Sequence, residues 1–169
     1  MKRLGLKTVC VLLGIWLLLP VLIVVPLSFT AKRSYVFPPT DFSTRWYESF
    51  LTDPNWVQVT YNSVIISVLA AALATFVGTT AALAARGMGG LARGVLYAAV
   101  AMPLIVPGVF LALADFFVLL KAGLVGTIIG FVLADSVLAL PLVFIPVMAA
   151  LANFDRRLEL ASASLGANR

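Results

Sequence analysis

Long apolar stretches alternate with short polar segments along this chain. The first apolar run extends from Thr8 to Phe29 and the second from Ser63 to Ala85. Each is close to the ~20 residues with which a helix crosses ~30 Å of hydrocarbon. A cleaved signal peptide is the alternative for the first run, but this run is longer than a typical signal-peptide core and no clear small-x-small cleavage site follows it. We therefore interpret it as a retained span.

The third apolar stretch, from Gly94 to Phe154, is too long for one crossing. Its charged residues are Asp115, Lys121 and Asp135. Two glycines and a lysine interrupt it at 121–126, which is the composition of a turn. A single turn there predicts helices at about 95–120 and 127–149, whereas three shorter helices are the alternative.

Basic residues decide between these two arrangements. With four spans and the N-terminus inside, eight Lys and Arg residues are cytoplasmic and four are external, as the positive-inside rule requires. Three helices in the last stretch reverse this balance to five against seven. We therefore predict an all-α, polytopic membrane protein with four transmembrane helices and a cytoplasmic N-terminus. It would form one transmembrane domain over residues 1–169.

The polar segment 30–56 separates the first two spans. Phe42, Trp46, Phe50 and Leu51 follow one another at helical spacing within it, and Pro54 ends the pattern. Tyrosine and tryptophan in this segment suit the membrane–water interface. We expect a short helix lying on the outer surface, where it contacts membrane lipid, with substrate binding by the aromatic residues as the alternative.

Composition limits the classes of function. Apolar residues make up 62% of the chain and charged residues 11%, against roughly 45–50% and 25% in soluble domains. The net charge of +5 does not indicate nucleic-acid binding, because the basic residues lie at segment ends and form no continuous patch. The sequence has no histidine and one cysteine, so we expect no metal, no cofactor and no catalytic residues. It also lacks a phosphate-binding loop, so any ATPase must be another chain.

Small residues and prolines in the predicted spans indicate where helices pack closely and where they bend. Four small residues spaced four apart in the second span allow close helix packing: Ala70, Ala74, Gly78 and Ala82. The later spans carry Pro103, Pro107, Pro141 and Pro146. Prolines kink helices, and transporters place broken helices around a solute path. Kinked packing without a path is the alternative.

Asp115 and Asp135 are the acidic residues expected at membrane depth. A charge there costs at least ~2.5–3.5 kcal/mol on insertion scales and often marks a path. Asp115 lies close before Lys121 and so near the outer interface, whereas Asp135 is expected nearer mid-depth. We hypothesise that Asp135 borders the route of a cationic solute. A protonated or hydrogen-bonded structural acid is the alternative.

Several short stretches, taken in order, resemble the permeases of binding-protein-dependent ABC importers, and most closely the spermidine/putrescine branch. They are Phe42-Ser43-Thr44-Arg45-Trp46-Tyr47 with Asp53-Pro54, Asn62-Ser63, Gly78-Thr79-Thr80-Ala81-Ala82, Met102-Pro103, Pro107-Gly108, Gly123-Leu124-Val125-Gly126-Thr127, Leu140-Pro141 and Leu165-Gly166-Ala167. The resemblance implies a permease subunit for polyamines or another small solute. It also implies three protein partners: a cytoplasmic ATP-binding subunit, a second permease subunit and an extracytoplasmic solute-binding protein.

The same resemblance implies a cytoplasmic coupling loop at 153–169 that contacts the ATPase. The family motif is Glu-Ala-Ala with a glycine six residues after the glutamate. Aligned on Gly166, it reads Leu160-Ala161-Ser162 here, with Glu159 displaced by one position. Asn153 or Asp155 is expected to cap the loop helix.

Family members continue for two more spans, so four of an expected six are present here. We therefore expect an incomplete copy of such a permease in the bacterial cytoplasmic membrane. The alternatives are a passive channel, a membrane scaffold without transport, and an inactive truncated permease. A membrane-embedded enzyme is disfavoured, because two separated aspartates without histidine make a poor catalytic site.

Overall fold

The structure, a computed structural model, describes residues 2–33, 36–155, 157, 161–162 and 164–166. The named elements are all helices: α1 (Lys2–Ser28), α2 (Arg45–Thr52), α3 (Pro54–Ala85), α4 (Gly90–Ile105), α5 (Gly108–Lys121) and α6 (Ile128–Ala152). Among the described residues, three helices are long and apolar enough to cross a membrane, and the bent pair α4–α5 makes a fourth span if it is counted as one. The prediction of an all-α polytopic membrane protein is confirmed.

The chain divides into two units, Met1–Tyr61 and Asn62–Arg169. In the first unit, α1 ends at Ser28 and a polar connection leads to α2. Thr30 and Phe42 form an antiparallel bridge within this connection. The Trp46 indole donates a hydrogen bond of 2.8 Å to the carbonyl of Thr30. The Tyr47 hydroxyl lies 2.6 Å from that of Ser28, so α2 is held against the end of α1.

Helix α1 buries little of its apolar surface within the structure. None of its most apolar window is buried, and side chains such as Leu17 are 74% exposed. At about 25 cal/mol per Å² of apolar surface, leaving this helix in water would cost many kcal/mol. Lipid or a partner helix must therefore surround α1.

In the second unit, α3 and α6 pack through small side chains. The four residues of the predicted small-residue face, Ala70, Ala74, Gly78 and Ala82, are all buried. A Cβ added at Gly78 would lie 3.0 Å from the Cβ of Val143, so only glycine fits without movement. The buried Ser136 hydroxyl lies 3.4 Å from the carbonyl of Ala70 and 2.5 Å from that of Val132. Backbones in membrane bundles approach closely at such positions.

Helix α4 completes the core of this unit by packing on α6. The buried cluster includes Val100 of α4 and Phe144 and Met148 of α6. The rings of Tyr97 and Phe144 lie 5.9 Å apart in a tilted arrangement. These contacts fix the face of α6 that points into the unit.

The predicted turn at 121–126 joins α5 to α6. Gly123 adopts φ +69°, and its N–H donates to the carbonyl of Leu120 while that of Leu124 donates to Leu119. This is the bonding pattern with which a glycine in the left-handed region ends a helix. Thr127 then caps α6, because its hydroxyl accepts a hydrogen bond of 3.0 Å from the Gly130 N–H.

Candidate functional site

A sharp break divides the stretch that the sequence predicts as one span at about 95–120. Helices α4 and α5 are bent by 108° at this point. Val106 lies between them in an extended conformation, with φ −72° and ψ 130°. The next residue is Pro107, and the proline ring disfavours the helical conformation for the residue before it. Pro107 therefore ends α4, whereas the sequence predicted only a kink.

Prolines at this break also leave backbone carbonyls without helical partners. Pro103 lies inside α4 and has no N–H to donate to the carbonyl of Ala99. Pro107 likewise cannot donate to the carbonyl of Pro103. At membrane depth such carbonyls must face protein or a water-filled cavity. The break therefore presents polar backbone carbonyls within a stretch whose side chains are otherwise apolar.

Pro141 behaves differently from Pro107, although both belong to the predicted path. It is fully buried, and α6 continues through it from Ile128 to Ala152. Phe144, three residues later, is also fully buried. Pro141 therefore lies in the packed face of α6, and its position favours a role in helix packing.

The two aspartates lie on neighbouring helices of the chain. Asp115 is half-buried on α5 and Asp135 is exposed on α6. Counted along the helices, Asp115 precedes Lys121 by six residues and Asp135 follows Ile128 by seven. At 1.5 Å per residue, both lie about 10 Å from the ends of the loop that joins their helices. Measured along their helices, the two aspartates therefore lie at similar distances from this loop, and a deeper position for Asp135 stays a prediction.

Asp135 does not belong to the face of α6 that packs on α3. Its neighbour Ser136 is buried and faces Ala70, whereas Asp135 is exposed. Among the described residues, Asp135 has no hydrogen-bond partner or ion-pair partner. An unpaired carboxylate facing lipid is costly. As a carboxylate, its side chain must therefore face water, a partner chain or a solute.

Part of the predicted coupling loop is described. Glu159 and Leu160 lie outside the described residues. Ala161 is helical, and its carbonyl accepts a hydrogen bond of 3.2 Å from the Leu165 N–H. Gly166 follows with φ +83°, the conformation with which glycine commonly ends a helix. The glycine of the predicted motif therefore has a local structural role, because it ends the helix in a conformation that other residues rarely adopt.

Asp155 and Asn153, the two residues expected to cap the loop helix, make different hydrogen bonds. The Asp155 carboxylate accepts a hydrogen bond of 2.9 Å from the Arg157 N–H. The Asn153 side chain instead donates to the carbonyl of Ala149, which belongs to α6. Asp155 therefore fits the start of the loop helix and Asn153 the end of α6. In the part of the chain that the structure describes, no group of His, Cys, Asp and Glu could hold a metal ion.

Together, the apolar helices, the broken span and the polar groups at depth define a helical, polytopic membrane protein. No family model matches the chain. The chain is 35% identical over 161 residues to the spermidine/putrescine transport system permease protein PotC of Haemophilus influenzae. The alignment covers 90% of this chain and 59% of that relative, so the chain spans less than two thirds of the relative's length. This similarity confirms the resemblance to permeases of the spermidine/putrescine branch.

Proposed function

We propose that this chain is a permease subunit of an ATP-driven importer and forms part of the solute path across the cytoplasmic membrane. The observation that carries the proposal is the 35% identity to a permease of a spermidine/putrescine transport system. The proposed solute is a polyamine or another small solute. The chain itself carries no catalytic residues in this proposal.

The broken span supports this function. A bend of 108° and two prolines, which lack an N–H donor, place backbone carbonyls without their usual helical partners within an apolar stretch. Carbonyl oxygens and a carboxylate are favourable neighbours for a cationic solute. We therefore assign the path to the region of Pro103, Pro107, Asp115 and Asp135, whereas Pro141 supports it by packing.

Energy coupling is assigned to the segment after α6. Ala161, Ser162 and Ser164 are small helical residues and Gly166 ends their helix, so this described part of the segment carries little side-chain bulk. Such a helix can enter a groove on another protein. We propose that it contacts a cytoplasmic ATP-binding subunit through Glu159, Leu160 and Ala161. A second permease subunit and an extracytoplasmic solute-binding protein complete the proposed importer.

A site-specific cross-link tests this function against its alternatives. A photo-reactive amino acid replaces Ser162, which is exposed next to Ala161, and in a control replaces Val118, which is 66% exposed on α5. Cells carry the complete reading frame that encodes this chain. We expect a cross-link from position 162 to an ATP-binding subunit, identified by mass spectrometry, and none from position 118.

The alternatives give a different result in the same experiment. A passive channel or a membrane scaffold needs no ATP-binding partner. Membrane-inserted protein that forms no cross-link from position 162 to an ATP-binding subunit would therefore overturn the proposal.

A further inference from the structure

A cavity of 690 Å³ lies within the first unit, between the end of α1 and helix α2. Its described lining combines two cations, three hydroxyl groups and apolar side chains: Leu27, Ser28, Thr30, Lys32, Arg33, Trp46, Tyr47 and Phe50. Nothing in the proposed transport function uses this cavity.

The sign of the charge around this cavity excludes a polyamine. Lys32 lies 3.4 Å from the Asp41 carboxylate and donates to the Thr40 hydroxyl at 2.8 Å, so its charge is partly offset. Among the described residues, Arg33 has no such partner. The lining is therefore net positive. It repels polycations and attracts anions.

Arg33 also has the chemistry that phosphate recognition needs. A guanidinium presents several N–H donors in a planar fork that matches two phosphate oxygens. The Ser28 hydroxyl donates to the Val25 carbonyl at 2.7 Å, so the Tyr47 hydroxyl donates to Ser28 at 2.6 Å and the phosphate-binding donors are those of Arg33 and Lys32. Lys32 retains further N–H donors beyond the one bonded to Thr40.

The cavity lies where a phospholipid headgroup would be. The apolar span Gly5–Ser28 has 24 residues, and at 1.5 Å per residue its helix is about 36 Å long, enough to cross the hydrocarbon. Ser28 is its last residue, and Lys32 and Arg33 follow within five residues. Trp46 and Tyr47 are residue types enriched at the same level of a membrane.

We propose that this cavity binds the phosphate of an anionic phospholipid headgroup. Arg33 and Lys32 hold the phosphate, and the apolar side chains of Leu27 and Phe50 contact the start of an acyl chain. The apolar part of the lining favours a lipid over free phosphate, which has no apolar portion to bury. The bound lipid would hold α2 on the membrane surface. This inference rests on α1 crossing the membrane and is independent of the transport function.

Native mass spectrometry of the full chain in detergent tests the proposal. Dioleoylphosphatidylglycerol and dioleoylphosphatidylcholine are added in equal amounts, and the ratio of the two bound lipids is measured. Arg33→Gln removes the guanidinium that is proposed to hold the phosphate, and Arg45→Gln is the matched control. Arg45 has the same charge and lies over the Trp46 ring at 4.3 Å, but it does not line the cavity.

We expect the unaltered chain to retain phosphatidylglycerol over phosphatidylcholine. Arg33→Gln should reduce this preference about fivefold, the effect of losing one basic residue near an anionic surface. Arg45→Gln should preserve it. Equal binding of the two lipids, or an equal loss in both variants, would overturn the proposal.

Competition separates the possible sources of the phosphate. Inorganic phosphate in excess should displace little of the bound phosphatidylglycerol, and spermidine should displace none. Complete displacement by inorganic phosphate would mean a free-phosphate site and would contradict the lipid assignment.

Discussion

Gly78 allows α3 and α6 to approach closely, because a Cβ built there would lie 3.0 Å from both Cβ and Cγ1 of Val143. Gly14 of α1 contrasts with it, since a Cβ at that position meets nothing within 4 Å. The sequence predicted a close helix contact from the spacing of small residues. It could not name the partner residue, because packing between distant segments leaves no local pattern.

Gly78→Val should destabilise the second unit. The added side chain must displace Val143, and overpacking of this kind typically costs about 1–3 kcal/mol. The measurement is the free energy of unfolding in detergent, followed by circular dichroism. Gly14→Val is the control and should change stability little. Equal effects of the two variants would contradict the contact, whereas rescue of Gly78→Val by Val143→Ala would support it directly.

Asp135→Asn should reduce polyamine uptake by the complete permease. If the carboxylate stabilises a cationic solute by 1.4 kcal/mol, its loss lowers uptake about tenfold. Asp53→Asn is the control, because Asp53 accepts a hydrogen bond from the Asn55 N–H and asparagine can do the same. Labelled putrescine uptake in cells is the measurement. Unchanged uptake by Asp135→Asn would assign this residue a structural role.

Glycines and prolines show how far the ends of the helices can be predicted from the sequence. The turn at 121–126 was predicted from its glycines, and the structure places a glycine-ended helix there. Prolines at 107 and 141 look alike in the sequence, yet only Pro107 lies at a helix end. Packing distinguishes them, because Pro141 is fully buried in a continuous α6 and Pro107 is exposed. Burial of this kind depends on packing between helices that are distant in the sequence, and a single segment does not reveal it.

Pro107→Ala should straighten the break between α4 and α5. Alanine restores an N–H donor and frees Val106 to adopt the helical conformation. Spin labels at Val95 and Val118, with Cys10 replaced by serine, report the change. At 1.5 Å per residue the two positions are about 34 Å apart in a straight helix, and about 20 Å apart at the observed bend.

Pro103→Ala is the matched control for this distance measurement. Pro103 lies inside α4, which continues to Ile105, so its replacement should leave the short distance unchanged. A short distance that persists in Pro107→Ala would show that tertiary packing, and not the proline, imposes the bend.

For the whole molecule, the path of the chain through the membrane depends on the bent pair. If α4 and α5 together cross the membrane, Lys121 lies on the side opposite Arg86. If the pair is re-entrant, both lie on the same side. The basic residues favour one crossing, because only that arrangement gives eight on the inside and four on the outside.

Cysteine labelling in intact cells should distinguish these arrangements. A membrane-impermeant maleimide should react with Thr40→Cys and Lys121→Cys, each in a chain whose Cys10 is replaced by serine. Gly89→Cys and Asp155→Cys should react only after the cells are permeabilised. Labelling of Asp155→Cys in intact cells, with protection of Lys121→Cys, would show a re-entrant pair.

Uptake tests the central claim, that this chain forms part of an ATP-driven solute path. Labelled putrescine and spermidine uptake is measured in cells of the source organism after deletion of the gene and after restoration of its complete reading frame. We predict that deletion lowers uptake, that restoration recovers it, and that depletion of ATP abolishes the recovered part. Recovered uptake that persists without ATP would indicate a passive channel. Uptake of both polyamines that is unaffected by deletion would contradict the assignment to polyamine import.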